Sequence, residues 1–148
     1  MNTDKTIEIL LVEDNPSDVK LTMNALQRSH ISNRVFVAWD GEEALDYLFS
    51  RGKFASEEKN RKLKLVLLDL KLPKVDGLEV LKIIKEDDRT KLIPVVVLTS
   101  SKEERDIVES YKLGVNSYIV KPLDFDQFMK SVTDIGLYWL LLNEIPEL

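Results

Sequence analysis

The sequence contains no cysteine, which excludes disulfide bonds and metal sites built from thiolates. The single histidine, His30, cannot supply the several imidazoles of a typical zinc site, and it argues against Ser-His-Asp catalysis. Glycine-rich phosphate loops are also missing, because neither a GxGxxG sequence nor a P-loop sequence occurs in the 148 residues. Carboxylates, hydroxyls and amines are therefore the groups available for chemistry.

Long apolar runs and a strong positive charge are missing as well. No apolar stretch approaches the roughly 20 residues of a membrane-spanning helix. The N-terminus, MNTDKTIEIL, lacks the basic and then apolar pattern of a signal peptide. The formal net charge of −5 argues against general nucleic-acid binding, and we expect no DNA-binding domain. We therefore expect one cytoplasmic domain over residues 1–148, without membrane contact.

Short apolar stretches alternate with amphipathic stretches along the chain, which predicts five strands and five helices. Strands are predicted at Ile7–Val12, Arg34–Trp39, Leu65–Asp69, Pro94–Thr99 and Ser117–Val120. Apolar runs without alternation are typical of strands buried on both faces of a parallel sheet. The predicted fold class is α/β: a (βα)5 doubly wound domain with the flavodoxin-like strand order 2-1-3-4-5. Its core spans about residues 7–128, and its long final helix spans about 124–143.

The sequence supports two further predictions, one for the polar connection at residues 51–64 and one for the orientation of the fourth helix. Residues 51–64 contain six basic and two acidic side chains, and a connection this long is either functional or disordered. We interpret it as a surface insertion, with partner docking as the secondary interpretation. In the fourth helix, Ile107, Val108 and Tyr111 are expected to face the core.

Polar residues stand at the ends of four predicted strands. Glu13 and Asp14 follow the first strand, Asp69 ends the third, Thr99 ends the fourth, and Lys121 follows the fifth. Ligands bind at the carboxyl ends of the strands in open α/β sheets. Taken singly, each residue also has an ordinary interpretation, as a turn or helix cap or as a solvated lysine. Together they predict a functional site at this edge of the sheet.

The charges of this group restrict its chemistry. Carboxylates about 4 Å apart repel by roughly 4 kcal/mol per pair at an effective dielectric constant near 20, so three of them need a counter-charge. Mg²⁺ suits a set of oxygen ligands, and Lys121 supplies a second cation. A metal, an ammonium and a hydroxyl together stabilise a phosphoryl group. Asp69 would then be the nucleophile, because a carboxylate can accept a phosphoryl group as an acyl phosphate.

Four sequence motifs carry a family resemblance. LLVEDNPSD, VLLDLKLPKVDG, VVVLTSS and YIVKPLD occur in this order over roughly Ile7 to Phe128. With these motifs the chain resembles a response-regulator receiver domain of the CheY-like type. The resemblance implies a phosphoprotein of a two-component phosphorelay. Such a protein is a phosphoacceptor in signalling rather than an enzyme, with only self-catalysed phosphotransfer and autodephosphorylation.

The resemblance also implies roles for the site residues. Asp69 would accept a phosphoryl group from a histidine kinase, and Lys121 would contact the phosphoryl oxygens. Glu13, Asp14, Asp69 and the backbone carbonyl of Lys71 would bind Mg²⁺. Glu13 departs from the aspartate that the family often has at its position, and glutamate usually acts there through a metal-bound water. Metal binding is still expected, but the sequence does not indicate its affinity.

The signalling change is likewise implied by the family. Thr99 would move toward the phosphoryl group and Tyr118 would rotate inward behind it, reshaping the face formed by the fourth helix and fifth strand. The peptide bond between Lys121 and Pro122 is expected to be cis, as is typical of the family. The insertion and the long final helix resemble the small stand-alone regulators that partner phytochrome-type histidine kinases.

The final helix predicts an interface. Its apolar stripe consists of Phe125, Phe128, Val132, Ile135, Trp139 and Leu142. Beyond this stripe, residues 137–142 (LYWLLL) are apolar on every side, and a helix of that kind must be buried all round. We expect Leu137, Trp139, Leu140 and Leu141 to pack on a second copy, giving a homodimer through this helix or the adjoining fourth-helix face. The alternative is that the tail folds back on its own domain.

Three other functions compete with phosphorelay signalling. A haloacid-dehalogenase-like phosphatase needs a second acid two residues after its nucleophile, where this chain has Lys71. A nucleotide- or flavin-binding module lacks its glycine-lined phosphate loop here. A pseudo-receiver that binds proteins without phosphorylation stays open, although the acceptor, acid pair, threonine and lysine are all present.

Overall fold

A computed structural model describes residues 7–28, 30, 32–55, 63–122 and 124–144, with the side chains at 33 and 141 left out. Five parallel strands form one sheet, namely β1 (Ile9–Val12), β2 (Val35–Ala38), β3 (Leu65–Leu68), β4 (Val95–Thr99) and β5 (Ser117–Val120). Their order is β2-β1-β3-β4-β5, which confirms the order expected from the sequence. The sheet is in register from Ile9 beside Val35 and Leu65 to Thr99 beside Val120.

Five helices alternate with the strands: α1 (Pro16–Arg28), α2 (Gly41–Leu48), α3 (Gly77–Glu86), α4 (Glu104–Lys112) and α5 (Phe125–Leu137). Short 3-10 turns lie at Ser32–Arg34 and Gly52–Phe54, and a π-helical turn, Tyr138–Leu142, continues α5. In the described part of the chain, no helix combines the length and apolar character needed to cross a membrane.

Alternate residues of the central strands supply two apolar cores, one on each face of the sheet. Leu10 and Val12 pack with side chains of α2 and α3, whereas Ile9 and Leu11 pack with side chains of α1 and α5. Each strand residue faces the opposite side from its neighbour, so a strand covered on both sides must be apolar throughout. The strands are therefore apolar along their length, and polar side chains follow them at their carboxyl ends.

Side-chain caps fix where the helices begin, and two of them bear on the site. The Asn15 carboxamide accepts the backbone N–H of Asp18 at 3.1 Å, which starts α1 directly after β1. The Asp76 carboxylate accepts the backbone N–H of Leu78 at 3.3 Å, which starts α3 after the loop that follows β3. The end of each loop is therefore anchored by a cap at the start of the following helix.

The polar segment 51–64 is anchored to the core at its beginning. Phe54 is buried, with its ring edge-on to Phe36 at 5.4 Å and to Tyr47 at 5.3 Å between ring centroids. Residues 56–62 of the expected surface insertion lie outside the described residues. The insertion therefore begins with a core contact that its charge-rich composition did not indicate.

Helix α4 has a different orientation from the one expected. Val108 and Tyr111, expected to face inward, are 42% and 54% exposed, and Ser110 is fully buried in their place. The Ser101 hydroxyl donates to the Asp106 carboxylate at 2.6 Å, and the Ser110 carbonyl accepts the backbone N–H of Val115 at 3.0 Å. These contacts at both ends of α4 set its rotation, and they leave apolar side chains on the surface.

The position of the C-terminal tail differs from the interface that the sequence predicted. Leu140 is only 2% exposed because it packs into the core beneath α1 and α5, and Trp139 packs partly against the same core. Leu137 is half-buried, and the side chain of Leu141 lies outside the described residues. A π-helical turn holds more residues than an α-helical turn, so it brings Leu140 inward. For Leu140 the expectation of an intersubunit contact was wrong, and the tail folds back on its own domain.

Candidate functional site

The polar residues that follow the strands converge at one edge of the sheet. Strands β1, β3, β4 and β5 are consecutive neighbours, so the residues at their carboxyl ends meet there. Glu13, Asp69 and Thr99 are all buried at this edge, and Asp14 is exposed at its rim. The structure therefore brings together the residues that the sequence placed at four separate positions.

Lys121 lies at the centre of this group. Its Nζ atom is 2.7 Å from Glu13 Oε1, 2.7 Å from Asp18 Oδ2 and 2.9 Å from Asp69 Oδ2. The Lys121 side chain is only 10% exposed, so these are charge-assisted hydrogen bonds largely removed from solvent. An ammonium group has three N–H donors, and each of the three has a carboxylate acceptor here.

Asp69 is held as an anion. Burial alone would raise the pKa of its carboxyl, but the hydrogen bond and charge of Lys121 outweigh burial and lower the pKa. The Thr99 hydroxyl donates to the same carboxylate, and so does the Lys71 backbone N–H, at 3.3 Å from Oδ1. A carboxylate with this many donors is fully ionised near neutral pH and is oriented by its partners.

For Glu13 the effect of burial on the pKa exceeds the effect of Lys121. Burial of its carboxyl raises the pKa to about 7, and repulsion from Asp69 acts in the same direction. The hydrogen bond from Lys121 opposes this rise without cancelling it. Burial alone would lower the pKa of Lys121, but its carboxylate partners raise it above the ordinary value. One ammonium thus does not balance all the negative charge at this edge.

The titration of Glu13 predicts a pH effect on stability. Because its folded-state pKa is about 7 against 4.5 for a free glutamate, the folded chain holds a proton that the unfolded chain has released. The stability from the protonated form is present below pH 4.5 and is lost as the pH rises through 7. In a chelating buffer we expect Glu13→Gln to match the wild type near pH 5. Near pH 8 we expect it to be more stable by about 1–2 kcal/mol.

Urea unfolding at several pH values between 5 and 8 measures this difference. The window lies above the range in which Asp69 takes up its proton, because the pKa of Asp69 is lowered from 3.8. Glu79→Gln, on the exposed side of α3, is the matched control and should stay within about 0.5 kcal/mol of the wild type at every pH. A gain for Glu13→Gln that is independent of pH would contradict the expected titration.

Three carboxylates are placed to hold a divalent cation. Glu13, Asp14 and Asp69 each offer an oxygen within 4.8 Å of the others. An all-oxygen donor set with excess negative charge suits a hard cation such as Mg²⁺, which keeps several waters and needs few carboxylates. The residues present therefore fit the metal. The Lys71 carbonyl stays a predicted ligand, since the contact found for Lys71 is made by its N–H.

The loop after β3 is fixed by a close backbone approach. A Cβ atom on Gly77 would lie 2.4 Å from the Asp69 carbonyl oxygen and 2.4 Å from Leu70 Cα, so only glycine fits there. The Gly77 N–H also donates to the Leu70 carbonyl at 2.9 Å. The start of α3 is therefore pressed against the backbone of Asp69 itself, which limits how far the carboxylate can move.

The residues expected to switch are linked through Ser101. Its N–H donates to the Thr99 hydroxyl at 3.3 Å, and its carbonyl accepts the Tyr118 hydroxyl at 3.0 Å. Tyr118 is half-buried, and burial raises the pKa of its phenol. Thr99 thus contacts both Asp69 and Ser101, and Ser101 in turn accepts the hydrogen bond of Tyr118. The movements of Thr99 and Tyr118 stay predictions.

The peptide bond between Lys121 and Pro122 is trans, because no described peptide bond is cis, and the expectation of a cis bond was wrong. The trans form is the intrinsically preferred one for a residue before proline. The Lys121 N–H donates to the Thr99 carbonyl at 2.7 Å, and its ammonium still reaches all three carboxylates. The site is therefore assembled with a trans bond.

Asp18 is the site residue that the sequence did not reveal. An acidic residue in the first turn of a helix such as α1 already has a local explanation, namely its favourable interaction with the helix dipole. Helical side chains tilt toward the N-terminus, so this position directs the Asp18 carboxylate back toward the sheet edge and Lys121. That geometric rule, applied to the acidic residue nearest the acid pair, is the signal that could have found it.

Comparison with known sequences gives matches over most of the chain. The family described as response regulator receiver domain matches residues 9–133. The chain is 46% identical over 139 residues to the probable methanogenesis regulatory protein FilR2 of Methanothrix harundinacea, covering 93% of this chain and 86% of FilR2. It is 41% identical over 138 residues to response regulator Rcp1 of Synechocystis sp., covering 93% of this chain and 92% of Rcp1.

Solved structures agree with these matches. The Mn²⁺-bound form of Rcp1 has a TM-score of 0.87 at 40% identity and covers 95% of this chain and 99% of that one. The phosphorylated cyanobacterial phytochrome response regulator RcpA has a TM-score of 0.87 at 44% identity and covers 96% of this chain and 99% of that one. The similarity therefore extends over nearly the whole fold and is not confined to one motif.

Proposed function

The chain belongs to the response regulator receiver domain family, and on that premise we propose that it accepts a phosphoryl group on Asp69 from a histidine kinase. The observation that carries this proposal is the Asp69 carboxylate. It is buried, held ionised by Lys121 and set within reach of two further carboxylates. An oriented anion with a cation on one side is the arrangement that nucleophilic attack on a phosphoryl group requires.

The transfer is a single displacement at phosphorus. An Asp69 carboxylate oxygen attacks the phosphorus of a kinase phosphohistidine, a P–O bond forms, and the P–N bond breaks as the imidazole leaves. Lys121, already 2.9 Å from Asp69 Oδ2, neutralises charge on the transferred group. Mg²⁺, held by Glu13, Asp14 and Asp69, would supply the remaining positive charge. Water later cleaves the new P–O bond and releases inorganic phosphate.

The signal is proposed to leave through α4 and β5. Thr99 contacts Asp69, and the Ser101 backbone joins Thr99 to Tyr118. A phosphoryl group that draws the Thr99 hydroxyl toward it would pull on this loop and shift the equilibrium of α4. Val108 and Tyr111 are exposed on α4, so a partner there would read the change as a rearranged apolar surface.

The partner is proposed to be a phytochrome-type histidine kinase in the cytoplasm. The support is the similarity to Rcp1 and to RcpA, the latter described as a phytochrome response regulator. A homodimer through the C-terminal tail also remains a proposal. Its supporting feature is now the exposure of Tyr138 and Leu142, since Leu140 is used inside the domain.

Intact mass after incubation with acetyl phosphate tests the acceptor. With Mg²⁺ we expect the wild type to gain one phosphoryl group, and with a chelator we expect no gain. Asp69→Asn should gain none under either condition. Asp76→Asn is the matched control in the same loop, because asparagine can still cap α3, and it should gain the group as the wild type does.

Two outcomes would overturn the proposal. A phosphoryl gain that persists in Asp69→Asn would move the acceptor to another residue. No gain in the wild type, together with no binding of beryllofluoride, would favour a protein-binding module that acts without phosphorylation.

A further inference from the structure

The three carboxylates around Lys121 do not have the same status. Glu13 and Asp69 belong both to the set that contacts Lys121 and to the set that can hold a divalent cation. Asp18 belongs only to the first set, since the metal-ligand group consists of Glu13, Asp14 and Asp69. A cation bound by that group would therefore compete with Lys121 for two of its three partners and leave the third untouched.

The competition between a bound cation and Lys121 for the same carboxylates has an electrostatic cost. Four carboxylates surround or adjoin one ammonium at this edge, so the acidic groups outnumber the basic one and favour a divalent cation. The ammonium is 10% exposed, however, and a buried charge that loses its partners is strongly destabilising. Metal binding is therefore more favourable when Lys121 keeps an anionic partner while Glu13 and Asp69 turn to the metal.

We infer that Asp18 is a positioning residue that retains Lys121 when a divalent metal takes the oxygens of Glu13 and Asp69. This inference rests on the proposed function, because it assumes that the carboxylate group binds a metal. Asp18 Oδ2 is already 2.7 Å from Lys121 Nζ, so the ammonium needs no large movement. With Asp18 in place, the lysine stays beside Asp69, where a phosphoryl group would arrive.

The location of Asp18 suits this role. It lies in the first turn of α1, where the backbone N–H of Asp18 is capped by Asn15 and the next residue, Val19, is buried in the core. Its carboxylate is 25% exposed, against 5% for Glu13. The Asp18 carboxylate therefore contacts both solvent and the ammonium, whereas that of Glu13 is almost wholly enclosed.

A double-mutant cycle on metal affinity tests the inference. Calorimetric titration with MgCl2 would compare the wild type, Asp18→Asn, Lys121→Met and the double variant. We expect Asp18→Asn to weaken Mg²⁺ binding about five- to tenfold in the wild-type background, because Lys121 then holds more firmly to Glu13 and Asp69. In the Lys121→Met background the same change should weaken binding by less than about twofold.

Asp76→Asn is the matched control, since Asp76 lines the same cleft of about 760 Å³ as Asp14 and does not contact Lys121. It should change Mg²⁺ affinity by less than about twofold. Equal losses for Asp18→Asn in the two backgrounds would mean that Asp18 acts on the metal by charge alone, and would overturn the inference. So would an unchanged affinity for Asp18→Asn in the wild-type background.

A second measurement avoids any dependence on the folding of Lys121→Met. Pulse acetylation followed by peptide mass mapping reports how firmly Lys121 is held. Adding Mg²⁺ should raise the labelling of Lys121 more in Asp18→Asn than in the wild type, and equal increases would contradict the retention of Lys121 by Asp18. Absence of Mg²⁺ binding by the wild type would overturn both this inference and the metal part of the proposed function. If the wild type binds Mg²⁺ but neither gains a phosphoryl group from acetyl phosphate nor binds beryllofluoride, the proposed acceptor role of Asp69 is overturned and the inference about Asp18 stands.

Discussion

Lys121→Met is expected to lower the free energy of unfolding by about 3–5 kcal/mol at pH 8 in a chelating buffer. Methionine keeps much of the volume of the lysine stem and removes the ammonium that contacts Glu13, Asp18 and Asp69. Three carboxylates then share a mostly buried space without a counter-charge. The loss should shrink as the pH falls, because the pKa of Glu13, already raised to about 7, rises further without the hydrogen bond from Lys121.

The measurement is urea unfolding of Lys121→Met and the wild type at pH 8 and near pH 5.5. Lys130→Met is the matched control, since Lys130 pairs with Asp134 at 2.8 Å while both side chains are mostly exposed. An exposed pair of this kind contributes little, so the control should stay within about 0.5 kcal/mol of the wild type. A loss for Lys121→Met as small as that of the control would mean that the buried carboxylates do not need the ammonium.

Divalent metal should reverse part of this loss. In Lys121→Met, Mg²⁺ can bind Glu13, Asp14 and Asp69 without displacing an ammonium. Adding Mg²⁺ should therefore stabilise Lys121→Met more than the wild type. The same comparison separates two roles of Lys121, namely stabilising the metal-free fold and competing with the metal.

The sheet and the location of the site could be predicted from the sequence for a physical reason. Strands buried on both faces must be apolar throughout, so a run such as Leu65–Leu68 predicts a strand in the interior of the sheet. The polar residue that ends such a run is at the sheet edge by necessity. This is why Asp69 and Lys121, which are 52 residues apart in the sequence, could be predicted to lie together.

Contacts that depend on the rotation of a helix could not be predicted in the same way. Both Ser110 and Tyr111 of α4 are compatible with an amphipathic helix, and the hydrogen bond between Ser101 and Asp106 settles which one is buried. Asp18 lies 103 residues from Lys121, and an acid in a first helical turn has an adequate local explanation. In both cases contacts with residues outside the helix determine the side-chain environment, and the local sequence pattern does not identify those residues.

The tail raises the same difficulty, since residues 137–142 are apolar on every side. A helix of that composition does not indicate which side chain turns inward, and the π-helical turn from Tyr138 to Leu142 changes the order of faces. The structure assigns Leu140 to the core and leaves Leu142 exposed. Two leucines in one turn thus have opposite surroundings, which makes them a matched pair for measurement.

Leu140→Ala is expected to lower the free energy of unfolding by about 2–4 kcal/mol, because it removes a fully packed side chain and leaves a cavity beneath α1 and α5. Leu142→Ala, at a side chain that is 71% exposed, should change it by less than about 0.5 kcal/mol. Urea unfolding measures both, and light scattering of the folded variants measures the oligomeric state. If the tail joins two copies through its exposed side, Leu142→Ala should weaken the dimer while leaving the stability of the domain unchanged. A loss of dimer in Leu140→Ala without loss of stability would instead restore Leu140 to an intersubunit contact and contradict its burial within the domain.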